Sequence, residues 1–421
     1  MAKDSHQRLA GSGARKRVLI IQSDIKQYRL SFHGKLYEAL RDDGIELRVA
    51  YSDPVGRESS KGDSVELPSE YGVKVQGHYF CGDRLLYQPL WGEVLAADMV
   101  IVPHANKHLF NFPLYIMSAL RLKKVGFWGH GRNRQSGRSG LPEWLRKRTL
   151  NRANWWFAYT AETVDYLVQH GVRPERVTNV ENAIDTTTFE EQLASITNAE
   201  LAQAREQLGI SRDAKVGLFC GGVTRDKKPE FLVEAALSIK QRLPQFELLA
   251  VGAGPEQAHF IGCARTHLWF HYLGPRFGRE KALYFRLGDV FLMPGLVGLA
   301  ILDAFAAGLP VFTTDIPIHS PEIEYLEENR NGVVTPHDVR TYCDTVVQLL
   351  ADCSVLHKLK VGALASAREH SIDKMVANFH RGIMDCLQLE TAHPVPRTGV
   401  TGPSRQEQLS EWSNGPAASS R

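Results

Sequence analysis

Three features of this chain suit work on a phosphate-bearing substrate: a single acid in an apolar helix, a lysine behind a glycine pair, and a histidine between glycines. The first lies in MPGLVGLAILDAFAAGLPVFTTD, Met293 to Asp315. Its pattern predicts a strand ending at Pro294, a glycine-bearing turn through Gly295, and a short helix from about Gly298 to Ala307. Ile301 and Phe305 are four apart, as are Leu302 and Ala306, which gives that helix a broad apolar face. Gly308 suits a left-handed stop, and Pro310 opens the next strand. Such a turn brings backbone N–H groups and the positive end of a helix dipole to a strand's carboxyl end, an anion site fit for a diphosphate. Asp303 is the acid of that helix; a solvent-facing carboxylate is the plain alternative.

The second feature is GGVTRDKKPEFLVEAA (221–236), where Gly221 and Gly222 precede Arg225 and Lys227. A cation against a departing diphosphate stabilises the charge that develops there. Taken alone, the same residues make a solvated loop. In VGAGPE (251–256), Gly252 and Gly254 permit a tight turn. The third feature is FWGHGRN (127–133), which ends a strand and leaves His130 between glycines; a purely structural histidine is the alternative. Near the start, DIKQYRLSFHGKL (24–36) puts Tyr28, Arg29 and His33 just after the first strand, facing any cleft at the sheet's carboxyl edge.

These residues need a frame, and the hydrophobic pattern supplies one. Apolar runs alternate with helical patterns along the chain, the signature of parallel α/β architecture. Strands are expected at 17–23, 45–51, 74–80, 98–103, 124–130 and 154–160, and then at 216–222, 247–254, 269–274, 289–295 and 310–315. The runs are nearly continuous in apolar residues, as strands buried on both faces are. Spacings of about 20 to 30 residues leave room for one crossover helix each. The reading is two Rossmann-like parallel-sheet domains, 17–200 and 201–370, facing a central cleft. A helix at 371–392, a flexible segment at 1–16 and a tail at 393–421, rich in Pro, Ser, Gly and Gln, complete the chain.

Taken together, these segments resemble the retaining glycosyltransferases of family 4, the group 1 glycosyltransferases, whose two-domain fold is called GT-B. In that family a glutamate, a glycine-rich turn and a second glutamate eight positions on lie against the donor. Asp303 stands where the second glutamate belongs, and the resemblance implies that it accepts hydrogen bonds from the nucleotide's ribose. Gly295 occupies the first glutamate's place, so backbone amides from Gly295 to Leu299, Gly298 among them, take over the grip on the sugar, or the donor sugar differs, or activity is lost. Lys227 matches the family's diphosphate-contacting lysine, Gly222 stands at the usual arginine, and Arg225 is its substitute. His130 matches an active-site histidine near the donor sugar. The family's Asn-Gly-Val-Asp signature reads Asn182-Ala183-Ile184-Asp185 here, and 319–335 looks like the stretch closing the donor site, with Pro321 and Glu322 before an Asn331–Gly332 turn. Residues 371–388 are similar to the helix that crosses back onto the first domain.

The implied reaction moves a sugar from a nucleotide-sugar donor to an acceptor hydroxyl with retention, the acceptor being a glycan, a lipid-linked saccharide or another glycoconjugate. An epimerase on the same fold and a non-catalytic nucleotide-sugar-binding protein are the alternatives. With no Asp-x-Asp motif, no obligatory metal or cofactor is expected.

The 421 residues, 43% hydrophobic and 23% charged, suit two globular domains. The six cysteines form no C-x-x-C pair, which argues against a disulfide framework or a zinc site. The N-terminus has no apolar stretch like a signal peptide, and no window is long and apolar enough to span a membrane. The expectation is a cytoplasmic protein, either free or lying on the inner face of a membrane. Eleven basic residues stand against one acid between Asn106 and Arg152. That excess attracts anionic headgroups or forms a solvated face, and no nucleic acid is expected, because no recognised reader module accompanies the charge.

Overall fold

In the computed structural model, residues 15–55, 64–82, 84–131, 144 and 147–389 are described. The expected segment at 1–16, save its last two residues, and the tail at 393–421 lie outside them. The first sheet is built from β1 (Arg17–Ile21), β2 (Glu46–Tyr51) and β3 (Gly72–Lys74), then, after a hairpin of β4 (His78–Phe80) and β5 (Leu85–Tyr87), from β6 (Met99–Pro103), β7 (Lys124–Gly129), β8 (Trp155–Ala158) and β9 (Val177–Asn179). Its order is β3-β2-β1-β6-β7-β8-β9, parallel throughout. The second sheet comprises β10 (Lys215–Cys220), β11 (Phe246–Val251), β12 (Phe270–Gly274), β13 (Val290–Leu292), β14 (Val311–Thr314) and β15 (Gly332–Thr335). These also run parallel, in the order β12-β11-β10-β13-β14-β15.

Strand order reverses at β1 in one sheet and at β10 in the other, because each first strand has its successor on one side and a later strand on the other. A crevice opens beyond the carboxyl ends at such a point, since the loops on either side diverge. The loops that leave β1, β10 and β13 are those whose residues drew attention in the sequence.

The run 74–80 does not form one strand. β3 pairs with β2, while β4 departs into the antiparallel hairpin with β5. Gly77, between them, lies where a Cβ would come within 2.9 Å of Ser52, so the chain bends away from the sheet there. Three short strands went unpredicted: β5 and β9, of three residues each, and β15, which follows directly on the Asn331–Gly332 turn.

The link between the sheets includes the helix Asn198–Leu208, which starts with a capping box between Thr197 and Glu200 and stops at Gly209 in the left-handed conformation, φ +70°. The helix Ile372–Gln388 returns to the first sheet. Phe379 stacks on Phe157 at 4.1 Å and meets Phe32 and Trp128 edge-on. Gly382 sits where a Cβ would reach within 2.5 Å of Thr178 Oγ1, so the helix rests directly on β9.

Candidate active site

Between the two sheets lies a cavity of about 230 Å³. The first sheet's loops contribute Tyr28, Arg29, His130, Tyr159 and Asn182, and the second sheet's contribute Leu299 and His319 to Glu322. Each sits just beyond a strand's carboxyl end or in the loop that follows.

Arg29 is the hub on the first-sheet side. It is buried, donates to Asn182 Oδ1 at 2.6 Å and to the Ala183 carbonyl at 3.4 Å, and lies over the rings of Tyr28, Trp128 and Tyr159. Asn182 in turn donates to Glu322 Oε1, and its own carbonyl accepts from the Tyr325 hydroxyl at 3.0 Å. A buried arginine, amide and carboxylate thus join the two halves across the cavity, each polar group meeting another, as burial requires. Burial, more than any neighbouring charge, pushes the Tyr159 hydroxyl up to about 12, so it remains a neutral donor beside the cavity.

On the second-sheet side, Lys227 is partly buried and its ammonium donates to the Leu296 carbonyl. Desolvation lowers its pKa to about 8, against the raising effect of Asp226 and Glu322. A nearby diphosphate would restore its charge, so the site is set to gain from an anion.

The turn after β13 is fastened by its own amides. Leu296 N–H donates to the Asp226 carbonyl at 2.8 Å, and Val297 N–H to His319 Nδ1 at 3.0 Å. His319 is buried, and its Nε2–H reaches the Thr314 carbonyl at 2.6 Å, which sets its tautomer. Two of the amides expected to grip a sugar are therefore engaged within the protein. Those of Gly298 and Leu299 have no acceptor among the described residues.

Gly295 packs backbone against backbone. A Cβ there would lie 2.2 Å from the Lys227 carbonyl carbon and 2.4 Å from the Asp226 oxygen. Gly252 does the same, its missing Cβ falling 1.9 Å from the Gly221 carbonyl oxygen. These glycines let the loops after β10, β11 and β13 press together, which brings Lys227 to the turn that precedes Leu299.

Not every predicted residue meets at the cavity. Arg225 lines a separate hollow of about 340 Å³ with Glu230, Phe231 and His337. Asp303 is ion-paired with Lys281 at 2.7 Å, the two side chains being 16% and 22% exposed. Lys281 and the buried His319 went unread in the sequence, because each owes its place to a partner about twenty residues away. Of the basic run, Arg132, Arg134, Arg138 and Arg146 lie outside the described residues. Lys123 donates to the carbonyls of Leu95 and Ala97, and Lys124 to that of Leu387, so neither belongs to a free cationic face.

Two family models match the chain: "Glycosyltransferase Family 4" over residues 34–188 and "Glycosyl transferases group 1" over residues 214–352. Between them they cover both sheets. The chain belongs to glycosyltransferase family 4, and its fold is GT-B. Among curated family relatives, a D-inositol 3-phosphate glycosyltransferase of Streptomyces bingchenggensis is 26% identical over 55% of this chain and 52% of its own length. An alpha-monoglucosyldiacylglycerol synthase of Acholeplasma laidlawii is 25% identical over 33% and 36%. The match thus spans about half the length of the first of these relatives. A crystal structure of the Anabaena protein HepE in complex with UDP superposes with a TM-score of 0.64 at 16% identity, over 88% of this chain and 99% of that one. At Gly295, where the sequence resemblance led to the expectation of a glutamate, the neighbouring backbone leaves no room for a Cβ.

Proposed function

We propose that this protein transfers a sugar, with retention of configuration, from a nucleotide-sugar donor held by the second sheet to an acceptor held by the first. The observation that carries this reading is the cavity shared by both halves, with His130 and Arg29 on one wall and Leu299 and Glu322 on the other. The donor's diphosphate lies against Lys227 and the amides of Gly298 and Leu299, and its ribose against Asp303. As the bond to the sugar breaks, negative charge grows on the diphosphate, and Lys227 stabilises it. The acceptor hydroxyl then bonds to the sugar's anomeric carbon from the side the diphosphate leaves and passes its proton to an oxygen of the departing diphosphate. His130, at the first-sheet wall, faces the transferred sugar. No metal is required in this scheme, because the lysine and amides supply the positive charge.

A thermal-shift panel of UDP, GDP, ADP and dTDP, followed by nucleotide release from the matching sugar donor, tests the reading. Stabilisation by one nucleotide, with release accelerated by an acceptor, supports it; no stabilisation by any would refute it. Nucleotide binding without turnover would instead favour a non-catalytic binding protein, the reading that the crowding at Gly295 supports.

The reading extends to a membrane surface, where a lipid-linked or polysaccharide acceptor would be met. Phe112, Ile116, Leu120 and Leu122 are 47 to 65% exposed in and just after the helix Asn111–Ala119, close in sequence to exposed Arg121. Trp144 is exposed too, with Arg148 over its ring at 5.7 Å and Lys147 beside it in sequence. Exposed apolar side chains with cations fit an anionic lipid surface. No helix among the described residues is long and apolar enough to cross a membrane. Co-sedimentation with phosphatidylglycerol vesicles that falls for Ile116→Ser with Leu120→Ser supports this extension; unchanged sedimentation contradicts it.

A further inference from the structure

The second-sheet wall of the cavity runs into the short helix Pro321–Tyr325, of which Pro321 and Glu322 line the cavity. Its last two residues, Glu324 and Tyr325, reach the first half of the molecule instead. Glu324 Oε2 accepts from the Glu162 N–H at 2.9 Å. Glu162 is the second residue of the helix Ala161–Gln169, whose cap residue, Thr160, makes no capping bond with its own side chain. A helix start leaves N–H groups without intrahelical partners and carries partial positive charge, so a carboxylate is favourable there. The second half thus caps a helix of the first. Tyr325 makes the other bond, its hydroxyl donating to the Asn182 carbonyl at 3.0 Å. Burial raises its pKa far above the ordinary tyrosine value, so the hydroxyl keeps its proton. From behind, the Tyr325 ring is held by His370, stacked at 3.8 Å and 17° where the chain turns into the helix Ile372–Gln388.

The other end of the same segment is tied to the donor side. His319 Nδ1 accepts from the Val297 N–H, and the Ser320 N–H donates to the Val297 carbonyl, each at 3.0 Å. Residues 319–325 therefore form a short strap. It starts at the turn that carries the Gly298 and Leu299 amides and ends on two anchors in the first half. Both anchors adjoin the opposite wall of the cavity: Asn182 is held by Arg29, and Glu162 follows shortly on Tyr159. A strap this short has little slack, so the two bonds set the distance between the walls. A small error in that distance slows a reaction between groups on opposite walls, and an opening lets water in.

We propose that Glu324 and Tyr325 are positioning residues that clasp the acceptor wall to the donor wall, so that the transferred sugar meets the acceptor rather than water. The purpose of the clasp rests on the transfer reading above; the clasp itself does not. The test compares the full chain with Tyr325→Phe combined with Glu324→Ala, which removes both bonds and alters no residue of the cavity wall. Nitroxides on Cys81 and Cys353, exposed cysteines on opposite halves, report the separation of the halves by pulsed electron spin resonance. Losing two hydrogen bonds shifts an opening equilibrium by about ten-fold, so the double variant is expected to gain a population at longer distance. With the nucleotide sugar chosen by the binding panel, transfer should fall about ten-fold and the share of sugar lost to water should rise. Nucleotide affinity should stay within two-fold, because the second sheet alone holds the nucleotide. Tyr325→Phe alone, which keeps the buried ring, is expected to show the same changes to a lesser degree. Glu324→Gln, which keeps an acceptor oxygen, should match the wild type.

An unchanged distance distribution in Tyr325→Phe and in the double variant would overturn the clasp. A longer distance with an unchanged ratio of transfer to hydrolysis would overturn the positioning role, as would a loss of nucleotide affinity as large as the loss of transfer. Wild-type protein that releases nucleotide from no donor would sink the transfer reading, and the distance measurement would still decide the clasp.

Discussion

Replacing Lys227 by methionine isolates the charge on which donor binding is proposed to depend. In the free protein its pKa is held at about 8. The ammonium is then roughly nine-tenths formed at pH 7, half formed at pH 8 and about one-tenth formed at pH 9. A bound diphosphate restores full charge, so affinity is expected to fall about ten-fold, about 1.4 kcal/mol, between pH 7 and pH 9. Binding at pH 8 should take up about half a proton. Without ligand the sign is opposite: the unfolded chain holds the lysine proton that the folded chain releases, so stability rises from about pH 8 towards the ordinary lysine value. The assay is calorimetry with the matching sugar donor, whose doubly esterified diphosphate does not titrate in this range, in two buffers of different ionisation enthalpy. Lys227→Met should weaken binding at pH 7 by about ten-fold or more and flatten the pH profile. A wild-type affinity constant from pH 7 to 9, with no proton uptake, would refute the reasoning.

Other substitutions probe the remaining parts. Gly295→Glu, which restores the family residue, should lower stability by about 3 kcal/mol or more in chemical denaturation, because its Cβ has no space beside Lys227; a folded, more active variant would contradict the packing argument. Asp303→Asn should leave Lys281 partly buried without its ion pair and cut nucleotide affinity about ten-fold in the thermal-shift assay, and unchanged affinity would remove Asp303 from the site. His130→Ala should lower kcat about 100-fold while nucleotide binding stays within two-fold, whereas an equal loss in both would make the residue structural.

The frame of the molecule was legible because buried parallel strands write themselves as apolar runs. Every expected strand is present apart from the split at Gly77, and the missed β5, β9 and β15 are too short to show a period. Lys227 and His130 were legible for a local reason, since glycines beside a strand end announce an open loop. The network of Arg29, Asn182 and Glu322 was not, for its members are up to 293 positions apart and meet only when the two sheets do. Gly295 read as a lost side chain. In the fold it is a close approach between two loops, a constraint set by residues 226 and 227 that no pattern around position 295 conveys. Within the basic run, the sequence could not tell which cations are free, because charge alone does not reveal that Lys123 and Lys124 end on backbone carbonyls.

The most direct test is a crystal structure with the nucleotide selected by the binding panel. The diphosphate should lie within hydrogen-bonding distance of Lys227 Nζ and the Gly298 and Leu299 amides, with the ribose hydroxyls on Asp303. A nucleotide bound elsewhere, or an Asp303 that contacts Lys281 alone, would contradict the proposed donor site.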